Sequence, residues 1–348
     1  MNKGIQRSLL AAFLFGVSAP IAKSLVGNVP PQLLAGVLYL GAGAGLFLLK
    51  LFRPGPASRA DAPISRAELP FLSGAIVAGG VLAPILLMFG LQRAPAAASA
   101  LLLNLEAVFT ALIAWLIFRE NLGSGILLGM LTIVAGGVLL SWSSGPLVLA
   151  ELLGPLSIAG ACLCWAIDNN LTQKVSTGNP IQIASWKGII GGTINVVVAW
   201  FAGQRPAIGG LIVAALALGF VSYGISLVLY IRALRELGAV RAGNYFSFSP
   251  FVGAAAGVVL FNEPITARLI GAGLLMGVGI WLHMTEDHEH SHVHDPMFHE
   301  HLHAHDEHHQ HEHGPGDPEG EPHSHPHRHE RLAHRHAHYP DIHHRHHH

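Results

Sequence analysis

"AWLIFREN" at residues 114–121 and "GVVLFNEP" at 257–264 each end an apolar run in Phe-x-Glu, and the two stand 143 residues apart. The same shift aligns Leu86 with Leu229, Leu91 with Leu234, Ala96 with Ala239, Phe118 with Phe261, Glu120 with Glu263 and Gly136 with Gly279. A shift of 150 pairs Pro30 with Pro180, Gln32 with Gln182 and Gly41 with Gly191. One unit is therefore used twice, and each unit holds five apolar runs. An odd number of membrane crossings per unit turns the second copy upside down relative to the first, the inverted-repeat architecture of secondary transporters.

The runs themselves are long enough to cross a bilayer. A hydrocarbon core of about 30 Å needs roughly 20 apolar residues per helix. Such stretches fall near 8–26, 32–52, 70–91, 95–118, 123–142, 153–175, 183–203, 210–231, 239–261 and 267–284. Runs of this length favour helices, because only helices and closed barrels satisfy every backbone group in lipid. The period-two alternation of a membrane barrel is absent from them. Lys3 and Arg7 ahead of the first run resemble a signal peptide, but cleavage after Ala19 would leave Pro20 beyond the cut, so 8–26 is expected to be a retained helix.

Basic residues bias loops toward the cytoplasm. With the N-terminus inside, the inner side collects Lys3, Arg7, Lys50, Arg53, Arg59, Arg66, Arg119, Lys174, Arg232, Arg235 and Arg241, and the outer side only Arg93, Arg205 and Arg268. Ten crossings then return the C-terminus to the cytoplasm.

Of 348 residues, 51% are hydrophobic and 12% charged. Residues 1–282 carry 16 Lys/Arg against 8 Asp/Glu and no histidine, whereas 283–348 hold all 25 histidines with 13 acids and 4 arginines. This distribution excludes an ordinary soluble enzyme. Cys162 and Cys164, both within an apolar run, form neither a disulfide framework nor a CxxC zinc module. No phosphate-binding loop is present, and no histidine base lies in the apolar part, so an ATP-driven pump, an enzyme and a nucleic-acid partner are all disfavoured.

The Phe-x-Glu ends at Glu120 and Glu263, the Gly-rich fifth and tenth runs, and the "APAAASALL" (94–102) and "ELGAVRAGN" (236–244) starts of the fourth and ninth runs resemble the drug/metabolite transporter superfamily, specifically its ten-helix EamA-type members. The resemblance implies an all-α membrane protein of two inverted five-helix repeats, at 1–142 and 153–284. It implies an integral protein of the bacterial inner membrane that moves a small solute. It leaves 285–348 unexplained. The first and sixth runs depart from the family's Trp-Gly-like start, with "FGVSAP" and "WAIDNN" in its place.

Ionisable side chains at membrane depth are read as functional by default. Lys23 lies in the first run, Glu106 mid-way along the fourth, Asp168 in the cytoplasmic half of the sixth and Lys187 in the first turns of the seventh. The repeat mate of Glu106 is the neutral Ser249, so one carboxylate stands at the midplane without a symmetric second. That suits a carrier loading and unloading one proton per cycle. The alternative is a structural ion pair with Lys23 or Lys187. Cys164 and Asp168, four residues apart on one helical face, offer a metal-ligand pair, against plain packing of a small residue. Lys187 is near enough to the interface to snorkel. Asn104, Asn169, Asn244, Tyr245, Ser247 and Ser249 add polar groups where central cavities form, or serve only as interhelical hydrogen bonds. Gly125 with Gly129, and Gly273 with Gly277, allow close helix approach, within the chain or in a homodimer.

The C-terminal segment places histidine at alternate positions: His288, His290, His292, His294, then His299, His301, His303, His305, then His323, His325, His327, His329, then His334, His336, His338. Its composition cannot bury a core, so disorder is the expectation. Imidazoles with interspersed acids suit Ni(II), Zn(II), Co(II) or Cu(II) better than Cu(I). A pH-responsive or solubilising tail is the competing reading. No cofactor is required by the membrane part. The function expected is an alternating-access, ion- or proton-coupled efflux carrier of a divalent transition metal or its chelate. An exporter of an amino acid or other organic metabolite with a regulatory tail competes closely, and a membrane-anchored metal store that transports nothing is the reading from another class.

Overall fold

The computed structural model describes residues 3–52, 66, 68–118, 123–142, 149–173, 175, 180–205, 209–237, 239–285 and four tail segments, 289–294, 297–303, 323–329 and 332–337. Ten apolar passes follow one another: α1 (Lys3–Gly16 and Ser18–Val26), α2 (Pro31–Phe52), α3 (Leu69–Arg93), α4 (Ala96–Leu102 and Leu105–Phe118), α5 (Ser124–Ser141), α6 (Leu149–Gln173), α7 (Pro180–Phe201), α8 (Gly209–Leu237), α9 (Ala239–Phe246 and Ser249–Phe261) and α10 (Ala267–Thr285). Among the described residues, nine of these are long and apolar enough to cross a membrane, and the second segment of α9 is a shorter apolar helix. Large apolar side chains such as Leu116, Ile117, Phe201, Val259 and Leu274 are exposed on the outer surface, as lipid-facing positions must be.

The repeats pack on each other in matched pairs. α2 lies along α7 and α5 along α10; α1 meets α8 and α9, while α6 meets α3 and α4. Small residues set the closest seam: a Cβ on Gly43 would strike the backbone of Gly188 and Ile189, and one on Gly188 the backbone of Gly43. Without a hydrophobic drive between helices in lipid, such backbone-to-backbone approach is what dispersion contacts need.

Two departures from regular helix recur in both repeats. α3 contains a π-helical segment at Ile76–Leu82 and α8 one at Gly219–Ile225, 143 residues later. In α3, Pro84 has no N–H to offer the carbonyls one turn back. The freed carbonyls are met from neighbouring helices: Asn195 Nδ2 donates to Gly80 O (3.3 Å) and Val81 O (3.2 Å), and the Tyr39 hydroxyl donates to Gly79 O (2.9 Å). The second departure interrupts α4 at residues 103–104 and α9 at 247–248. Pro250, in the first turn of the second α9 segment, cannot donate to the segment before it.

In the tail, β1 (Glu289–His294) pairs antiparallel with β4 (Leu332–Ala337), and β2 (Met297–His303) with β3 (His323–His329). Alternation at period two places the histidines of each segment on one face of its strand. The register sets His290 opposite His336, His292 opposite His334, His299 opposite His327, His301 opposite His325 and His303 opposite His323. His288, His305 and His338 lie outside the described residues, as does Glu120.

Candidate functional site

The interruption of α4 builds the site. At 103–104 the backbone tightens to bonds three residues apart, Asn104 N donating to Leu101 O (3.1 Å) and Glu106 N to Leu103 O (3.1 Å), and side chains add to the same carbonyls. Buried Asn104 donates to Leu101 O (2.9 Å) and touches Met276 Sδ (3.7 Å), and the Cys162 thiol faces Leu102 O (3.7 Å) and Leu103 O (3.8 Å). The second segment restarts at Leu105, which puts Glu106 in the first turn of a helix aimed away from the break. A helix N-terminus carries partial positive charge, so this is a favourable seat for a carboxylate. Asn169, from α6 of the other repeat, donates to Glu106 Oε1 at 2.8 Å. Ser249, the repeat mate of Glu106, sits buried at the matching restart of α9, where its carbonyl would be struck by a Cβ on Gly16 of α1.

Of the two cations weighed as alternative ion-pair partners for Glu106, Lys187 pairs with another acid. Lys187 Nζ lies 2.6 Å from both carboxylate oxygens of Asp168, and Thr172 Oγ1 donates to Oδ1 at 2.9 Å. Lys187 therefore does not snorkel. It is held inside because Asp168 is on the facing helix and Gly79 has no side chain: a Cβ at 79 would overlap the Asp168 carboxylate. With both oxygens engaged, Asp168 is not free to share a metal with Cys164, whose thiol packs against the apolar core.

Lys23 is committed too. Its Nζ donates to Leu91 O (2.7 Å) and to Ala94 O at the C-terminal end of α3. Glu263 binds the other side of the same loop, accepting from Ala96 N (2.6 Å) and Ala97 N (2.9 Å) at the start of α4. Cation on helix C-terminus and carboxylate on helix N-terminus are the favourable assignments for both dipoles. Asn262, with φ 49°, caps α9 in the left-handed region and turns Glu263 toward that amide pair. The Phe-x-Glu end is thus a device that ties α9 and α1 to the α3–α4 loop.

Sequence reasoning missed Asn195 and an arc of rings. Asn195 was legible as a lone amide in "GTINVVVAW"; the rings gave no signal, since aromatic residues on separate helices share no spacing. Tyr39 accepts from Trp165 Nε1 (3.1 Å) and lies 5.9 Å, centroid to centroid, from Tyr223; Tyr223 is 5.6 Å from Phe15, Phe15 is 5.5 Å from Phe246, and Phe246 is 4.6 Å from Tyr230. Ser247 donates to Gly243 O (3.0 Å), an intrahelical bond. The side chain of Asn244 lies outside the described residues. Gly129 packs on Gly279 and His283 of α10 within the chain, whereas Gly273 and Gly277 border an apolar groove of about 970 Å³ between α9 and α10.

The profile of the EamA-like transporter family matches residues 2–142 and again 152–285. An "Uncharacterized transporter" of Methanothermobacter thermautotrophicus is 27% identical over 287 residues, covering 79% of this chain and 84% of that protein. "Uncharacterized transporter YyaM" of Bacillus subtilis is 23% identical over 277 residues, covering 75% and 87%. A solved crystal structure superposes with a TM-score of 0.59 at 20% identity, covering 80% of this chain and 95% of the other, a likeness of fold alone.

Proposed function

The chain belongs to the EamA-like transporter family and is a multi-pass membrane transporter, and we propose that it is a secondary carrier of a small organic solute, with Glu106 as the group that couples solute to protons. The observation that supports this is the setting of Glu106. It lies at the break of α4, bonded to Asn169 of the opposite repeat, and among the described residues no lysine or arginine is within ion-pair distance. Broken helices at a repeat interface are where alternating-access carriers hold cargo and ions. Rocking of the repeats would change the distance between Glu106 on α4 and Asn169 on α6, so binding at one is felt by the other.

The carrier would lie in the bacterial inner membrane, with the N-terminus and tail in the cytoplasm, by the distribution of basic residues. Efflux is the direction that a cytoplasmic regulatory tail suits.

A divalent metal as cargo is the second reading, favoured by the tail. Its sequence sets histidine at alternate positions, and imidazole suits Ni(II), Zn(II), Co(II) and Cu(II). The engagement of Asp168 by Lys187 weighs against metal in the membrane part, and so favours a tail that senses or buffers metal while the cargo is organic.

Full-length protein in proteoliposomes with an imposed pH gradient tests the reading. A panel of organic metabolites, with Ni(II), Co(II), Zn(II) and Mn(II) as the metal arm, should contain an organic solute that collapses the gradient in the parent and not in Glu106→Gln. Solute flux of equal rate and pH dependence in Glu106→Gln would remove Glu106 from the mechanism; metal flux that survives truncation at Glu286 would install the second reading.

A further inference from the structure

We propose that Lys23 and Glu263 are the two halves of a gate that holds the transporter shut, at rest, on the side of the membrane where α1, α3 and α9 end, and that opening on that side requires both grips to let go. By the distribution of basic residues this is the outer side. The inference goes beyond the coupling role of Glu106: it uses neither the charge of that residue nor the identity of the cargo.

Burial along α4 marks which side is shut. Before its break, Ala96, Ala97, Ser99, Ala100, Leu101 and Leu102 are buried. After the break, Val108 is the one buried side chain among the described residues from Leu105 to Ile113, and Glu106 is half-buried. Asn169 is exposed even though it is bonded to Glu106. Two polar groups bonded to each other between the repeats do not form a lipid-facing surface, so open space reaches them from the far side, where α4 and α6 end. On the near side backbone lies against backbone: a Cβ on Gly257 of α9 would strike Ala97 N, and one on Gly253 would strike Gly16 O of α1.

The grips sit at the mouth of this packed half. Lys23 holds Leu91 O and Ala94 O, and Glu263 holds Ala96 N and Ala97 N, so four backbone groups between residues 91 and 97 are tied to α1 and to the end of α9. Lys23 Nζ also lies 6.0 Å from the centre of the Phe261 ring, which brings both grips to the same Phe-x-Glu end. The groups gripped are helix-terminal carbonyls and amides, which water satisfies once the helices part. Both charges stand near helix ends, Lys23 three residues before the close of α1 and Glu263 two residues after the close of α9. Separation therefore hydrates them and strands neither, unlike the buried pair of Asp168 and Lys187. Such bonds can hold and release within a transport cycle.

The repeat makes the two sides unequal. At the 150-residue shift Lys23 maps to Gln173; at the 143-residue shift Glu263 maps to Glu120, and Ala96 and Ala97 map to Ala239 and Val240. The sequence carries the carboxylate of a matching latch for the opposite side, but not its cation. Equal latches in an inverted repeat would favour neither state, whereas a cation on one side alone biases the population toward the state shut at the α3–α4 loop.

The test is alkylation of single introduced cysteines in the full-length protein in lipid nanodiscs, where a membrane-impermeant maleimide reaches both faces. Mass spectrometry resolves the labelled peptide, so Cys162 and Cys164 stay in place. Ser99→Cys, at a side chain that is 0% exposed, reports the shut side; Thr110→Cys, one turn beyond Glu106 on the same helical face, reports the open side. In the parent the thiol at 110 should react at least about tenfold faster than the thiol at 99, since each rate follows the population that exposes it. Lys23→Met with Glu263→Gln should speed labelling at 99 by about tenfold or more and slow labelling at 110 by about twofold or more, the reciprocal change of a population shift. Lys23→Arg keeps the cation and should hold parent rates at both positions. Faster labelling at 99 with unchanged or faster labelling at 110 would mean local loosening and overturn the gate, as would unchanged rates at both. Lys23→Arg behaving like Lys23→Met would overturn the part given to the charge. A parent whose thiol at 99 reacts as fast as that at 110 would overturn the resting state.

Discussion

Asp168→Asn keeps the shape of the side chain and removes the charge that faces Lys187. The Asp168 and Lys187 side chains are only 7% and 18% exposed, so water does not replace the lost partner, and the ammonium sits 2.6 Å from both oxygens it would lose as anions. Removing one member of a buried pair costs about 3–5 kcal/mol, chiefly from the charge left behind. Asn can still accept one hydrogen bond from Lys187 or Thr172, which places the expected loss near 3 kcal/mol. Lys187→Met should cost a similar amount, because it leaves Asp168 with Thr172 alone. The double variant leaves no stranded charge and should recover most of the loss, to within about 1 kcal/mol of the parent. Reversible unfolding of the purified protein in mixed micelles, followed by tryptophan fluorescence, measures all four corners of the cycle. Single variants within about 0.5 kcal/mol of the parent, or a double variant that is worse than either single, would refute the account of Asp168 and Lys187 as a mutually dependent buried pair.

Gly79→Ala should act on the same pair from the other side, since the new methyl overlaps the Asp168 carboxylate; it should destabilise the parent by about 1–3 kcal/mol and cost far less in the Asp168→Ala background, as the same micelle assay would show. Glu263→Gln and Lys23→Met should each loosen the α3–α4 loop, with losses of about 0.5–2 kcal/mol for the capped amides, and faster alkylation of a cysteine placed at Ala94 is the readout. Truncation at Glu286 should abolish high-stoichiometry Ni(II) or Zn(II) binding at pH 7.5 while leaving basal solute exchange. Lowering the pH of the full-length protein through about 6.5 should release that metal as the imidazoles protonate, and equilibrium dialysis with elemental analysis follows both.

The passes and their duplication were legible because hydropathy over some 20 residues and a Phe-x-Glu repeat are local signals. So was the position of Glu106, a lone acid in "LLLNLEAVFT". Its partner was not. Lys187 and Lys23 were the cations in range by sequence, yet one meets Asp168 and the other meets backbone carbonyls, choices fixed by which helices touch. The π-helical segments left half a signal: Pro84 follows the one in α3, but the corresponding residue in α8 is Leu227, and the glycines that both segments hold (Gly79 and Gly80, Gly219 and Gly224) recur throughout the other passes. The role of Glu263 could be read only from the fold, because the amides it caps are 166 or more residues away.

Those two π-helical segments also carry a history. Each is a one-turn irregularity in the third helix of its half, in register at the same 143-residue spacing as the Phe-x-Glu ends. Acquiring the same irregularity twice at equivalent places requires two coincident insertions; inheriting it requires one, before the gene doubled. Descent of both halves from one five-helix chain that already carried the irregular turn is the simpler account, and it places the turn among the oldest features of the fold.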